Sequence, residues 1–298
     1  MRLSATELFM LGQCAISAAY QAGHLIADYA QRKVSVDTKR NGGSLAAQVV
    51  TEVDHLSQEI ILQILRPSCD RFDLALLSEE SPDDGERLRK DYFWCIDPLD
   101  GTLPFIEALP GYSVSIALLA RDGAPLIGVV YDPLTQTLFH AITGRGAWRN
   151  RQSLTLPATT PSAQQTLSFL TDKSFVEDPL YPATLTALKR IAQELGYAGA
   201  ELKLQGGAAM NACQVLAMPP ACYFKFPKPQ IGGGSIWDYA ATSCLFRETN
   251  ASVSDMGGKP LVLNPTGTTF MNHCGVLYCA DPAIAEKLIS VYRDLTQS

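Results

Sequence analysis

Histidine is scarce in this 298-residue chain, with four residues scattered along it, and none of its eight cysteines forms C-x-x-C. Zinc fingers and zinc ribbons, which need paired Cys and His ligands, are thereby disfavoured. The cysteines (Cys14, Cys69, Cys95, Cys213, Cys222, Cys244, Cys274 and Cys279) fall mostly within apolar runs. That distribution reads as free thiols buried in a reducing compartment. No apolar run reaches the roughly 18 residues of a spanning helix. At the N-terminus Glu7 and Gln13 interrupt what would be the apolar region of a signal peptide. Basic charge is also short: 24 Lys and Arg stand against 30 Asp and Glu, a net charge of −6. A nucleic-acid polymer is therefore a poor partner, because its binders carry a basic footprint. A small anionic substrate is not excluded, since local charge can oppose the net sign. Repeats and low-complexity tracts are absent. The expectation is a cytoplasmic protein with no membrane association.

What is present is apolar residue in abundance, at 47%, enough for a sizeable core in one large domain or two modest ones. Leu8, Leu11, Ala15, Ala18, Ala22, Leu25 and Tyr29 recur at three and four, and Ser4-x-x-Glu7 forms a capping box, so a helix is predicted from Ala5 to Gln31. Residues 37–43 read as a mobile loop. Val49–Asp54 follows, and then a second helix that begins at Asp54, shows Leu56, Ile60 and Ile64 on one face and is stopped by Pro67. Leu74–Leu77 reads as a buried strand running into Ser78-Glu79-Glu80, and 92–96 as the next. From Tyr112 to Arg149 short strands alternate with turns as an antiparallel meander. Ala158–Pro161 is a linker. Beyond it strands at 167–170 and 201–204 alternate with helices at 182–195, 208–217 and 236–247, the mark of an α/β layer. This divides the chain into an N-terminal α+β domain, 1–157, and a C-terminal α/β domain, 158–298.

Acidic residues gather where these elements stop or start: Asp54, Glu79, Glu80, Asp97, Asp100 and Asp238. Each alone is an ordinary helix cap or turn residue. The stretch Cys95-Ile-Asp-Pro-Leu-Asp-Gly-Thr-Leu-Pro-Phe105 is harder to dismiss. Its two carboxylates, three apart across a proline-set turn, can converge on one point. An oxygen-only cluster suits a hard cation, Mg²⁺ before Zn²⁺. The backbone N–H groups and hydroxyl of Gly101-Thr102 offer a phosphate cradle.

DPLDGT at 97–102, SEE at 78–80, VTEVD at 50–54 and WDYAAT at 237–242 stand in the order and spacing of the inositol monophosphatase family, which the chain resembles over most of its length. These are metal-dependent, lithium-sensitive phosphomonoesterases, and they include bisphosphate nucleotidases and fructose-1,6-bisphosphatases. The resemblance implies the layered αβαβα sandwich of that family. It implies two Mg²⁺ ions, with a weaker third helped by Glu79. Glu79, Asp97 and the carbonyl of Leu99 would hold the first ion, and Asp97, Asp100 and Asp238 the second. Thr102, hydrogen-bonded to Asp54, would orient and deprotonate the attacking water, while backbone N–H groups of Gly101 and Thr102 grip the phosphate. Glu80 is left as a neighbouring cap. A homodimer is also implied.

For the substrate, Gly206, Gly207 and Ala208 resemble the family's glycine-alanine turn, where substrate lies against backbone. Members acting on inositol phosphates carry an acid several residues before the Trp-Asp pair. This chain has Lys225, Lys228 and three glycines there, which suit a second anionic group or, more plainly, a solvated loop. Ser235-Ile-Trp-Asp238 resembles bacterial 3'(2'),5'-bisphosphate nucleotidases. The expected activity is accordingly hydrolysis of a small phosphorylated metabolite, with 3'-phosphoadenosine 5'-phosphate first. Leu103 and Pro104, where those enzymes carry a lysine and an acid, keep inositol 1-phosphate or another sugar phosphate as the alternative. A non-catalytic phosphate-binding relative would have lost a metal ligand, and none of the expected acids is missing.

Overall fold

In the computed structural model, which describes residues 2–36, 43–156 and 161–297, alternation along the strands sorts the apolar side chains into three cores. On β2 (Tyr92–Asp100) Trp94 and Ile96 enter one core, while Phe93 and Cys95 enter a second. On β10 (Ala221–Lys225) Ala221 and Tyr223 enter that same second core, and Cys222 and Phe224 a third. A period of two on strands buried on both faces calls for helices on both faces.

Helices α1 (Ala5–Val36) and α2 (Gly43–Phe72) form the first layer. The second is a seven-stranded sheet in sequential order: β1 (Ala75–Ser78), β2, β3 (Ser113–Ala120), β4 (Pro125–Asp132), β5 (Thr137–Ile142), β6 (Ala147–Arg149) and β7 (Gln152–Ser153). Only the β1–β2 pairing in it is parallel. After β2 comes the short helix α3 (Thr102–Ile106). The far sheet contains β8 (Thr166–Thr171), β9 (Gly199–Leu204), β10, β11 (Ser252–Ser254) and β12 (Val276–Cys279), in the order β11-β12-β10-β8-β9. There β8, β9 and β10 run parallel and β12 antiparallel to β10. Between the sheets lie α5 (Ala208–Ala217) and α6 (Ile236–Glu248), buried among residues of both. Outside the far sheet lie α4 (Tyr181–Glu194) and α7 (Pro282–Gln297). The order helix, sheet, helix, sheet, helix is the expected sandwich. Among the described residues no helix is long and apolar enough to cross a membrane.

Three local expectations change. Pro67 does not stop α2, which continues to Phe72. A proline inside a helix costs about 3 kcal/mol, but Leu65 and Phe72 on either side of it are buried in the first core. Beside it Ser68 Oγ accepts the Trp94 indole N–H at 3.0 Å. Asp54 does not begin a helix either, since α2 already starts at Gly43. The strand at 92–96 runs on through the acidic motif to Asp100. The loop expected at 37–43 and the linker at 158–161, with the domain boundary placed there, lie outside the described residues except for Gly43, which opens α2, and Pro161.

Candidate active site

Residues three apart on a regular strand point to opposite faces of the sheet. Asp97 and Asp100 nevertheless face one point, because β2 is bulged between them. Asp97 pairs with Ser115 and Asp100 with Ser113, so three steps on β2 match two on β3. The extra residue restores the parity of the side chains. Pro98 sits within the bulge, one of the few places where a strand tolerates proline. The device is therefore a bulge in a strand and not the turn expected from the sequence. Asp97 falls on the same face as Phe93 and Cys95, toward the middle helices, where α6 presents Asp238. Carboxylate oxygens of Asp97, Asp100 and Asp238 all lie within 4.8 Å of one another.

Backbone donors hold each acid in place. Asp97 Oδ1 accepts the Leu99 N–H at 3.0 Å. Asp100 accepts the first two N–H groups of α5, Ala208 to Oδ1 at 3.0 Å and Ala209 to Oδ2 at 2.8 Å. Asp238 accepts the Ser235 N–H and so completes the capping box of α6. Close approach needs glycine at Gly207, where a Cβ would come within 2.4 Å of Asp100 Oδ2. Gly101 has φ +86°, and a Cβ there would meet Gly111 O at 2.6 Å.

The cluster is electrostatically strained without a cation. Burial first, then Glu79, Asp100 and Asp238, push the Asp97 carboxyl well above the usual range. Asp100 is raised well above it by burial and Asp238. Asp238 is raised chiefly by burial. Glu79 hydrogen-bonds Asp97 and is pushed up to about 7 by desolvation and Asp238, although the residue as a whole stands exposed at the pocket mouth. Asp54, on α2, is pushed up to about 7 by desolvation and then by Glu80 and Glu79. Buried carboxylates that repel one another, with oxygen donors only, are the donor set a hard divalent cation satisfies. The residues therefore fit such an ion.

Above the cluster opens a cavity of about 600 Å³, with Glu79, Asp100, Gly101, Gly206, Gly207, Ala208, Lys225 and Asp238 in its wall. Among the described residues the N–H groups of Gly101 and Thr102 donate to no protein group. Two expectations shift. Thr102 Oγ1, at the first residue of α3, donates to the Leu99 carbonyl at 3.5 Å rather than bonding Asp54. Lys225 and Lys228 do not form a cationic pair in the main cavity. Lys228 lines an adjoining one, and Lys225 is in an ion pair with Asp172 at 2.6 Å. Asp172 and Tyr239 went unnoticed in the sequence. Asp172 directly follows β8, so a search for acids at strand ends finds it once that strand is read to Thr171.

The family model of the inositol monophosphatase family matches residues 10–297. A protein named Nus factor SuhB from Pasteurella multocida is 32% identical over 278 residues, 93% of each chain. Human inositol monophosphatase 2 is 31% identical over 255 residues, 84% of this chain and 82% of its own. The solved inositol monophosphatase of Anabaena (Nostoc) sp. PCC 7120 superposes with a TM-score of 0.69 at 26% identity, covering 96% of each chain. These relatives carry the names of inositol monophosphatases and SuhB rather than of bisphosphate nucleotidases.

Proposed function

This chain belongs to the inositol monophosphatase family of phosphatases, and on that premise we propose that it is a Mg²⁺-dependent phosphomonoesterase acting on a small phosphorylated metabolite. The observation that carries the reading is the bulge that turns Asp97 and Asp100 toward Asp238 beneath an open cavity. Glu79, Asp97, the Leu99 carbonyl, Asp100 and Asp238 would hold two ions, with a third near Glu79. When bound, such ions stabilise charge on phosphoryl oxygens and make water nucleophilic near neutral pH.

The chain's own groups do the rest. Gly101 and Thr102 N–H groups, which donate to no protein group among the described residues, would take two phosphate oxygens. Thr102 Oγ1, weakly held at 3.5 Å from Leu99 O, can exchange that partner for the attacking water. Asp54, desolvated on α2 beside Glu80 and Glu79, is the proton acceptor. Gly206, Gly207 and Ala208 present backbone to the leaving group.

Two substrate readings follow. The names of the relatives favour inositol 1-phosphate or a similar sugar phosphate. Lys228 in the adjoining cavity favours a second anion, as in 3'-phosphoadenosine 5'-phosphate. The test is phosphate release from both compounds with Mg²⁺, with EDTA and with Li⁺. Release that needs Mg²⁺ and is suppressed by Li⁺ supports the assignment. Equal release in EDTA refutes it.

A further inference from the structure

Asp172 and Lys225 stand at corresponding ends of neighbouring parallel strands, one residue past β8 and at the last residue of β10. Ligands of α/β sheets bind at such carboxyl ends. Both residues line the main cavity with Glu79, Asp100 and Asp238, and both line the adjoining cavity with Ser174 and Lys228. Asp172 Oδ2 lies 2.6 Å from Lys225 Nζ. The Asp172 backbone caps the 3₁₀ turn Lys173–Glu177, but its carboxylate makes no capping bond. Among the described residues no hydrogen-bond donor reaches its Oδ1, and the side chain, 27% exposed, lines both cavities.

Lys225 is mostly spent. Of its three N–H groups, one goes to Asp172 and one to the Tyr239 hydroxyl. Burial works to lower its pKa, but Tyr239, Asp172 and Asp238 outweigh that and keep it charged. Lys173, the other lysine of the main cavity's wall, is paired with Glu107. A second phosphate at this end of the main cavity would meet no uncommitted cation in its wall, since Lys228 lines only the adjoining cavity, and it would lie against the Asp172 carboxylate. Adjacent neutral hydroxyls meet what they need: an acceptor oxygen and a remaining ammonium N–H side by side.

We propose that Asp172 sets the specificity of the leaving-group subsite. By committing Lys225 to an ion pair, it makes the subsite read adjacent hydroxyls of a polyol or sugar monophosphate and reject a second phosphate. This rests on the phosphomonoesterase reading above.

The experiment compares kcat/KM with Mg²⁺ for inositol 1-phosphate, adenosine 3',5'-bisphosphate and p-nitrophenyl phosphate. The last has neither hydroxyls nor a second phosphate and serves as normaliser. Wild type should favour the polyol monophosphate over the bisphosphate by about tenfold or more, the scale of one charge-assisted hydrogen bond. Asp172→Asn should lower the ratio of polyol to p-nitrophenyl phosphate about tenfold, through KM, and raise the ratio of bisphosphate to polyol by as much. Asp172→Glu should restore the wild-type order. A wild-type preference for the bisphosphate overturns the proposal without any variant. So does an Asp172→Asn protein that scales all three substrates equally. Release from p-nitrophenyl phosphate alone overturns the subsite but leaves the phosphatase. Release from none of the three overturns both readings.

Discussion

Raising the pH of the metal-free protein should destabilise it, and a divalent cation should cancel the loss. Asp54 allows the size to be worked out. Its carboxyl, ordinarily at 3.8, is pushed up to about 7 by desolvation and by Glu80 and Glu79. A raised folded-state pKa means that the folded state holds the proton more tightly. Its contribution is then fully present below about pH 4 and is lost as the pH rises through about 7. About three pH units at ~1.4 kcal/mol each come to about 4 kcal/mol, of which about 3 kcal/mol falls between pH 5 and 8. Asp97, Asp100 and Asp238 are shifted in the same direction and add to it. Glu7, Glu194 and Glu201 are shifted downward and act oppositely, but they sit at the surface, where water screens such pairs. At roughly 2 °C per kcal/mol for a chain of this size, the Tm of EDTA-treated protein should drop by about 6 °C between pH 5 and 8. Saturating Mg²⁺ should recover the loss at pH 8 and do little at pH 5, where protons occupy the same oxygens. Calorimetry at both pH values, with EDTA and with Mg²⁺, measures it. A metal-free Tm that is flat or higher at pH 8, or a Mg²⁺ increment equal at both, would refute the reasoning.

Asp97→Asn should abolish Mg²⁺-dependent phosphate release, while the metal-free protein at pH 8 melts no lower than wild type, because one repelling charge is gone. Full activity of that variant in saturating Mg²⁺ counts against the metal assignment. Gly207→Ala places a methyl within 2.4 Å of Asp100 Oδ2. The displaced carboxylate should cost about 100-fold in kcat/KM and weaken apparent Mg²⁺ affinity, with far-UV circular dichroism unchanged; wild-type kinetics would show that Asp100 need not stay where it is. Pro67→Ala returns a missing N–H to the interior of α2 and should stabilise by about 1 kcal/mol, read as a higher urea midpoint. A lower midpoint would mean that the proline ring packs better than a restored hydrogen bond.

The parts of the molecule written in local periodicity were legible. The first helix, the meander and α5 follow directly from apolar spacing, and a search for acids where elements stop or start brings out Asp97, Asp100 and Asp238, which the fold gathers within 4.8 Å. Other parts depend on partners distant in sequence. Pro67 reads as a helix stop until the buried residues on either side of it outweigh the break. The segment 97–100 reads as a turn because proline and two aspartates favour one, and only the pairing with β3 makes it a bulged strand. Lys225 reads as a free cation until the fold brings Asp172, 53 positions earlier, to its side. No local pattern carries such a pairing, since it arises from two parallel strands ending at the same level. The stretches 221–225, 252–254, 276–279 and 282–297, three strands and a helix, were passed over because short apolar runs do not announce their type.

The bulge in β2 has a bearing on how this site can vary. Three steps on β2 are matched to two on β3, so the two carboxylates share a face through the bulge. Losing one residue there would remove the extra step and leave a regular strand, whose residues two apart still share a face, whereas gaining one beside the same bulge would turn Asp100 to the other side of the sheet and leave a single acid facing Asp238. For the facing of the two acids an insertion is therefore worse than a deletion. A library meant to retune metal or substrate preference should avoid insertions there and keep position 99 apolar, since Leu99 is 1% exposed in the first core.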